Sequence, residues 1–206
     1  TDGNAFPLPE RRNRKPRRSS LTLPLCQREA NRIFGYTAKQ TLDLAQALYE
    51  KRLLTYPRTD SSFLTDDMGG TAAGIIALLC EKLPFMAGAD FTPEIAKVLD
   101  SKKVSDHHAI IPTMELAKTD LLGLPETERN ILTLAGARLL MAAAEPHTFE
   151  AVTAVFEVCG QTFTAKARAV LSDGWKGLER RYRVTLKQTR PGGRRGSRAS
   201  FRYAFF

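Results

Sequence analysis

The sequence predicts an α+β fold, mainly helical through its middle and changing to strand near its end. Two observations predict it. Between residues 37 and 147 apolar residues recur at three- and four-residue spacing, whereas from Val152 to Arg168 they alternate with polar ones. With 206 residues, 43% of them hydrophobic, the chain can bury one domain-sized core or two smaller ones.

Each element has its own signal. Thr37 and Gln40 form a capping box ahead of Ala38, Leu42, Ala45 and Tyr49, and Lys51 and Arg52 suit the last turn. That helix should end just before Tyr56. A second is predicted from about Thr65, with Asp66 and Asp67 in its first turn, through Ile75, Ile76, Leu79 and Leu83 to a stop at Pro84. Gly69, Gly70 and Gly74 weaken its beginning. A third runs from Pro125 through Ile131, Leu132, Ala135, Leu139 and Ala142 and stops before Pro146. Then Val152, Ala154, Phe156 and Val158 alternate with polar partners, and after Cys159 and Gly160 the pattern resumes with Phe163, Ala165 and Ala167. This predicts a β-hairpin with one buried face. The turn Ser172-Asp173-Gly174-Trp175 follows, its tryptophan expected as a core anchor. There is no internal repeat.

Composition excludes several classes. The longest nearly apolar run, Ala72 to Cys80, is far shorter than the roughly 20 residues that cross a bilayer, and no signal-peptide pattern opens the chain. The expectation is a soluble, intracellular protein. Cys26, Cys80 and Cys159 are odd in number and widely spaced, which suggests free, core-packed thiols rather than disulfides or a zinc site. The formal charge of +9 is unevenly spread: residues 11–18 carry six basic groups and residues 180–202 carry nine, with no acid in either stretch. Residues 19–179 hold 16 basic against 20 acidic groups, a net of −4. The flanks, residues 1 to about 20 and 187–200, read as solvated linkers or loose ends that strengthen contact with any polyanion. An opening at Thr1 rather than methionine is compatible with a piece of a longer protein.

One stretch carries chemistry, Tyr56-Pro57-Arg58-Thr59-Asp60-Ser61-Ser62. Pro57 biases Tyr56 toward an extended conformation, and in an extended segment Tyr56, Arg58 and Asp60 share one face. A tyrosine hydroxyl can attack a phosphodiester if a neighbouring cation stabilises the charge that develops, and the Arg58 guanidinium has the planar fork for that role. Asp60 could hold the guanidinium, while Thr59, Ser61 and Ser62 could offer hydroxyls to a backbone phosphate. On spacing alone, a half-buried aromatic beside a surface ion pair accounts for the same residues. A second stretch, Ser105 to Thr113 (SDHHAIIPT), has adjacent histidines that point apart and so make a poor metal chelate. One of them donating to a phosphate is the better reading.

Together the two stretches resemble the type IA DNA topoisomerases, most closely the topoisomerase III branch. YPRTDS from Tyr56 resembles the motif that holds the family's nucleophilic tyrosine, and SDHHAIIPT its second signature some fifty residues on. Residues 25–61 (LCQREANRIFGYTAKQTLDLAQALYEKRLLTYPRTDS) and 163–179 (FTAKARAVLSDGWKGLE) are similar to the family throughout, so the resemblance spans about residues 22–182. RRSSLTLPLC departs from the family's usual approach to QREAN, and the tail after Arg183 matches no family pattern.

The resemblance implies that Tyr56 bonds transiently to the 5′ phosphate of a cleaved single strand, that Arg58 neutralises the scissile phosphate, and that His107 contacts DNA. Asp60, Ser61 and Thr59 would assist around the backbone, and His108 stands at a more variable position. It also implies a helical tyrosine domain at residues 37–147 with a winged-helix-like element, inserted in a β-rich arch formed by residues 21–36 and 148–182, with basic tails at 1–20 and 183–206. The family's Toprim domain, whose DxDxE cluster holds Mg2+, has no counterpart in these 206 residues. No metal is therefore expected on this chain. Its implied partners are single-stranded DNA and the remaining domains of the same polypeptide, with no membrane, in a cytoplasmic, nucleoid-associated setting. The other classes that fit are a non-catalytic winged-helix DNA-binding module and a tyrosine recombinase. The recombinase needs an HxxR element, and no histidine here has an arginine three residues on.

Overall fold

The computed structural model describes residues 5–7 and 11–188. Its elements are strands β1 (Ala5–Pro7) and β2 (Arg11–Lys15), helices α1 (Leu23–Phe34), α2 (Ala38–Glu50), α3 (Gly69–Lys82) and α4 (Glu126–Ala143), strands β3 (His147–Val158) and β4 (Gln161–Ser172), and helix α5 (Trp175–Gln188). Short 3-10 turns fill the long connection between α3 and α4.

Helix α4 is the centre of the helical body. Its sequence from Ile131 to Ala143 is apolar almost all round, so it can be buried on every side, and α1, α2, α3 and α5 all pack on it. Gly136 permits the approach of α3, since a Cβ there would lie 2.8 Å from Leu79 Cδ2 on that helix. Arg138 is the polar exception. Its guanidinium is buried and donates twice to the Ser19 carbonyl, at 3.1 and 2.8 Å, while desolvation pulls its pKa down to about 10.

The three expected helices form. The Thr37 capping box is complete, with Gln40 N donating to Thr37 Oγ1 at 3.1 Å and Thr37 N to Gln40 Oε1 at 2.9 Å. A 3-10 turn over Asp66–Met68 replaces the first turn expected before the glycines of α3. Helix α1 lies within residues 21–36, the segment expected in a β-rich arch. Thr22 caps it by accepting from Leu25 N at 3.3 Å, Pro24 occupies its first turn, and Gly35 (φ 78°) closes it in the left-handed region. Its buried face, Cys26, Glu29 and Ala30, joins the helical core.

Strand β3 is the spine of the sheet. It pairs antiparallel with β4 along one edge, while β1 and β2 follow one another along the other. Cys159 (φ 51°) and Gly160 (φ 73°) both take left-handed conformations, the two-residue turn expected of a tight hairpin. The register puts Val152 opposite Ala167, Ala154 opposite Ala165 and Phe156 opposite Phe163, so the alternation in the sequence does gather these side chains on one face. That face is not buried. Phe156 is 39% and Phe163 56% exposed, and β4 is exposed from Gln161 to Leu171, because no second layer of the described residues covers the ribbon. Outside this ribbon, strand pairing occurs only as three isolated bridges among the described residues.

The basic flanks are more structured than their composition suggests. Arg11 to Lys15 form β2, Arg17 donates to Ala144 O and pairs with Glu94, and Arg18 pairs with Glu179 at 3.0 Å while lying over the Trp175 ring. Helix α5 carries residues 183–188 of the expected tail; the rest of that tail, and residues 1–4 and 8–10, lie outside the described residues. Backbone pairing and acidic partners outweigh the solvation that a run of charges would otherwise favour. Trp175 is buried as expected; Cys159, by contrast, is exposed at the hairpin tip rather than packed in the core. No helix among the described residues is long and apolar enough to cross a membrane.

The β4-to-α5 turn fixes the ribbon to the helical body. Gly174 (φ 48°) sits where a Cβ would be 2.4 Å from the Glu145 carbonyl oxygen, and Trp175 N donates to that same oxygen at 2.9 Å. Gly174→Ala is expected to lower the unfolding free energy by about 2–4 kcal/mol, as both the backbone conformation and the space forbid a side chain. Urea denaturation measures this; a loss below about 0.5 kcal/mol would contradict the turn geometry.

Candidate active site

The segment bearing Tyr56 is positioned first by the end of α2. Leu53 N donates to Leu48 O and Arg52 N to Tyr49 O, both at 2.8 Å, a helix stop of the Schellman type. Arg52 takes the left-handed position usually given to glycine, with φ 61°. Lys51 anchors the same turn to α4 through an ion pair with Glu128, Nζ lying 2.6 and 2.8 Å from the carboxylate oxygens. Leu53 and Leu54 then plunge into the core and leave the chain extended.

Residues 53–63 next run alongside residues 105–113. Thr113 N donates to Leu53 O at 3.1 Å and Thr55 N to Ile111 O at 3.0 Å, an antiparallel pairing. Thr55 Oγ1 doubles it by donating to Ala109 O and accepting from Ile111 N, each at 3.0 Å. Thr113 Oγ1 donates to Arg52 O. Further along, Thr59 Oγ1 donates to His107 O at 2.7 Å, Ser61 Oγ to Lys103 O at 2.8 Å, and Ala109 N to Phe63 O at 2.9 Å. Two motifs distant in sequence are thereby zipped together.

Exposure alternates along this segment. Pro57, Thr59 and Ser61 are buried, whereas Tyr56 is half-buried and Arg58 and Asp60 are exposed, so the three expected on one side do avoid the core. A three-residue turn, with Thr59 N donating to Pro57 O at 3.1 Å, bends the chain at Arg58. Thr59 and Ser61, 7% and 5% exposed, spend their hydroxyls on protein backbone. This differs from the expectation that they face a phosphate: the backbone carbonyls of residues 103 and 107 lie within their reach, and burial demands that each hydroxyl be paired. Asp60 departs too. Its Oδ1 accepts from Ser105 Oγ at 3.2 Å, and no ion pair with Arg58 forms among the described residues.

The Tyr56 ring contacts two others. His107 lies with its centroid 4.5 Å away and its plane tilted by 49°, and Tyr49 at 5.4 Å and 75°. Arg58, Thr59, Asp60, Ser105, Asp106 and His107 line an open cleft of about 390 Å3, whose rim is completed by Leu23 and Pro24 at the start of α1. His107 thus touches Tyr56 and faces the cleft. His108 is half-buried and pairs its Nδ1 with Ala109 O at 2.9 Å, and His147 lies at the base of the ribbon, its Nδ1 3.3 Å from Asp173 O.

The arrangement offers a phenol, a guanidinium without an acidic partner, and an exposed imidazole on one surface. Such a set suits a phosphodiester rather than a cation. The two cleft carboxylates, Asp60 and Asp106, alternate with Arg58 and His107, and no group of three or more potential metal ligands occurs among the described residues. Magnesium favours an oxygen cage, and the donors here do not fit one. Sequence reasoning missed Tyr49, read as one of the helix's periodic apolar residues, and Thr55. The spacing of Tyr49, on the last turn of a helix that ends beside Tyr56, was the available signal.

Comparison with known proteins places the chain. Residues 8–199 match the family model described as DNA topoisomerase, so the match runs past residues 22–182 at both ends and takes in most of the segment after Arg183 that the sequence reading left unmatched. The chain is 39% identical over 164 residues to DNA topoisomerase 3 of Bacillus licheniformis, covering 74% of this chain and 21% of that protein. It is 37% identical to the Bacillus subtilis protein of the same name, again over 74% of this chain and 21% of the relative. The chain therefore spans about a fifth of the length of the curated relatives it matches. Full-length topoisomerase I of Thermotoga maritima shares the fold at a TM-score of 0.58 and 21% identity, over 87% of this chain and 30% of that one. With both signature stretches side by side in space and the family model spanning nearly all of it, the chain belongs to the type IA DNA topoisomerases, in the topoisomerase III branch.

Proposed function

We propose that this chain is the tyrosine-bearing part of an enzyme that cleaves and rejoins single-stranded DNA through a transient 5′-phosphotyrosine bond, and so changes linking number. The observation that carries this reading is the pairing of residues 53–63 with 105–113, which seats Tyr56 on His107 and turns Arg58 and His107 to one cleft.

In the cleavage step the Tyr56 oxygen attacks phosphorus, a P–O bond forms and the bond to the 3′ oxygen breaks. The phenol loses its proton and the departing 3′ oxygen gains one; rejoining reverses both. Arg58, exposed and without an acidic partner, stabilises the charge gathering on the phosphate oxygens. His107 donates to the same phosphate. Thr59 and Ser61 hold the segment in place, and Asp60 fixes Ser105 at the cleft edge. No group of three or more potential metal ligands occurs among the described residues, and magnesium and the proton acceptor for Tyr56 are assigned to a Toprim portion outside them.

The ribbon supports the same reading from its two faces. One carries Val152, Ala154, Phe156, Phe163, Ala165 and Ala167, and this apolar surface is where the remaining domains of the longer polypeptide would dock. The other carries Lys15, Lys166 and Arg168, beside Lys176 of α5, and these cations have no acidic partner within 4.0 Å among the described residues. Burial, then the nearby Lys15 and Arg168 charges, holds the Lys176 pKa below the usual lysine range. A DNA backbone would relieve that crowding. The relaxation or decatenation reaction of the parent follows from this reading, as does a cytoplasmic, nucleoid-associated location.

Three outcomes are expected. The chain by itself should bind single-stranded DNA weakly, losing at least tenfold in affinity between 50 and 200 mM salt by fluorescence anisotropy, and should not relax a supercoiled plasmid. Relaxation that disappears in Tyr56→Phe would refute the latter. With magnesium and a single-stranded oligonucleotide labelled at its 3′ end, label should become attached to the protein only after a separately made Toprim portion is added, and never in Tyr56→Phe. Attachment in Tyr56→Phe would remove Tyr56 as the nucleophile. Thr59→Val should cost about 1–3 kcal/mol in urea denaturation through its lost hydrogen bonds, and Thr59→Ser much less. Unchanged stability with weakened DNA binding would instead return Thr59 to the phosphate.

A further inference from the structure

Tyr49 lies outside both signature stretches, and its surroundings give it a role that core packing does not. It is the penultimate residue of α2, 40% exposed, so filling the interior is not its task. Its backbone is nevertheless held firmly. The Tyr49 carbonyl accepts Arg52 N–H in the helix stop, and Lys51 two residues on is tied to Glu128.

Tyr56 needs such a neighbour. It stands in an extended segment after the helix, half-buried, where a side chain would otherwise exchange among rotamers. The pairing of Thr55 with residues 109–111 fixes its backbone but leaves the ring free to turn. His107 limits that turning through a ring contact at 4.5 Å. Tyr49 adds a second, at 5.4 Å and 75°, an edge-on geometry that favours aromatic pairs.

We propose that Tyr49 is a positioning residue for the nucleophile: its ring and that of His107 form a slot that holds the Tyr56 phenol in the orientation needed for in-line attack on phosphorus. This rests on the reading of Tyr56 as the nucleophile. A misplacement of about 1 Å in reacting groups can cost up to a hundredfold in rate, and removing one of the two ring contacts should cost about tenfold.

The slot is tested first in the chain itself, labelled with 3-fluorotyrosine, with the Tyr56 resonance identified by its loss in Tyr56→Phe. In Tyr49→Ala and Tyr49→Leu that resonance should move toward the position of free fluorotyrosine and sharpen, while in Tyr49→Phe it should keep its displacement; circular dichroism checks that each variant folds. In the longer enzyme that carries these residues, Tyr49→Leu should slow covalent trapping about tenfold at an unchanged half-saturating oligonucleotide concentration, and Tyr49→Phe should restore the rate. An unmoved Tyr56 resonance in both Tyr49→Ala and Tyr49→Leu overturns the slot. Weakened DNA affinity at an unchanged trapping rate also overturns it, because Tyr49 would then be a binding residue. Failure of the underlying reading is separate: it shows as trapping that persists in Tyr56→Phe, whatever happens at Tyr49.

Discussion

The structure around Tyr56 depends on one set of hydrogen bonds, those that join residues 53–63 to residues 105–113. Neither segment is a regular strand, and neither has a helix of its own to hold its shape. Each borrows order from the other, largely through threonine and serine hydroxyls that donate to carbonyls across the gap. A hydroxyl can donate and accept at once, so Thr55 closes two bonds from one side chain. A buried hydroxyl deprived of its partner is costly, which makes this seam cooperative: losing one bond exposes the next to solvent.

That seam is useful only because the helical body holds both of its edges. Helix α4, buried on nearly every side, receives α2 through the Lys51 and Glu128 pair and receives the N-terminal segment through Arg138 and Ser19. Burying an arginine is expensive unless its donors are used, and here two of them reach one backbone carbonyl while Glu29 and Glu179 contribute opposite charge. The chain leading into α1 is therefore fixed where it passes α4. Since Leu23 N also donates to Thr59 O, at 3.0 Å, the start of α1 is joined directly to the segment that carries Arg58.

Much of this was legible beforehand, for identifiable reasons. The capping box of α2, the proline that ends α3 and the apolar run of α4 are local signals, and local signals act at short range whatever the rest of the chain does. The alternation of β3 and β4 likewise named which side chains share a face. It could not say whether that face would be covered, since burial depends on a second layer and not on the strand itself. Helix α1 carries local signals of the same kind, since Thr22, Pro24 and Gly35 mark its ends. Within the site, simple alternation put Tyr56, Arg58 and Asp60 on one face, and none of the three is buried. The inward turn of Thr59 and Ser61 was not foreseeable, as it requires knowing that residues 103–107 lie alongside them.

The three cysteines differ sharply in access. Burial pushes the Cys26 thiol up to about 12 and raises that of Cys80, whereas Cys159 stands exposed at the turn between β3 and β4. Cys159 is thus the most exposed of the three thiols, at the turn of a long antiparallel arm whose base is locked to the helical body. A maleimide dye would attach there in preference to the buried Cys26, at a point distant in sequence from both the phenol and the cleft residues.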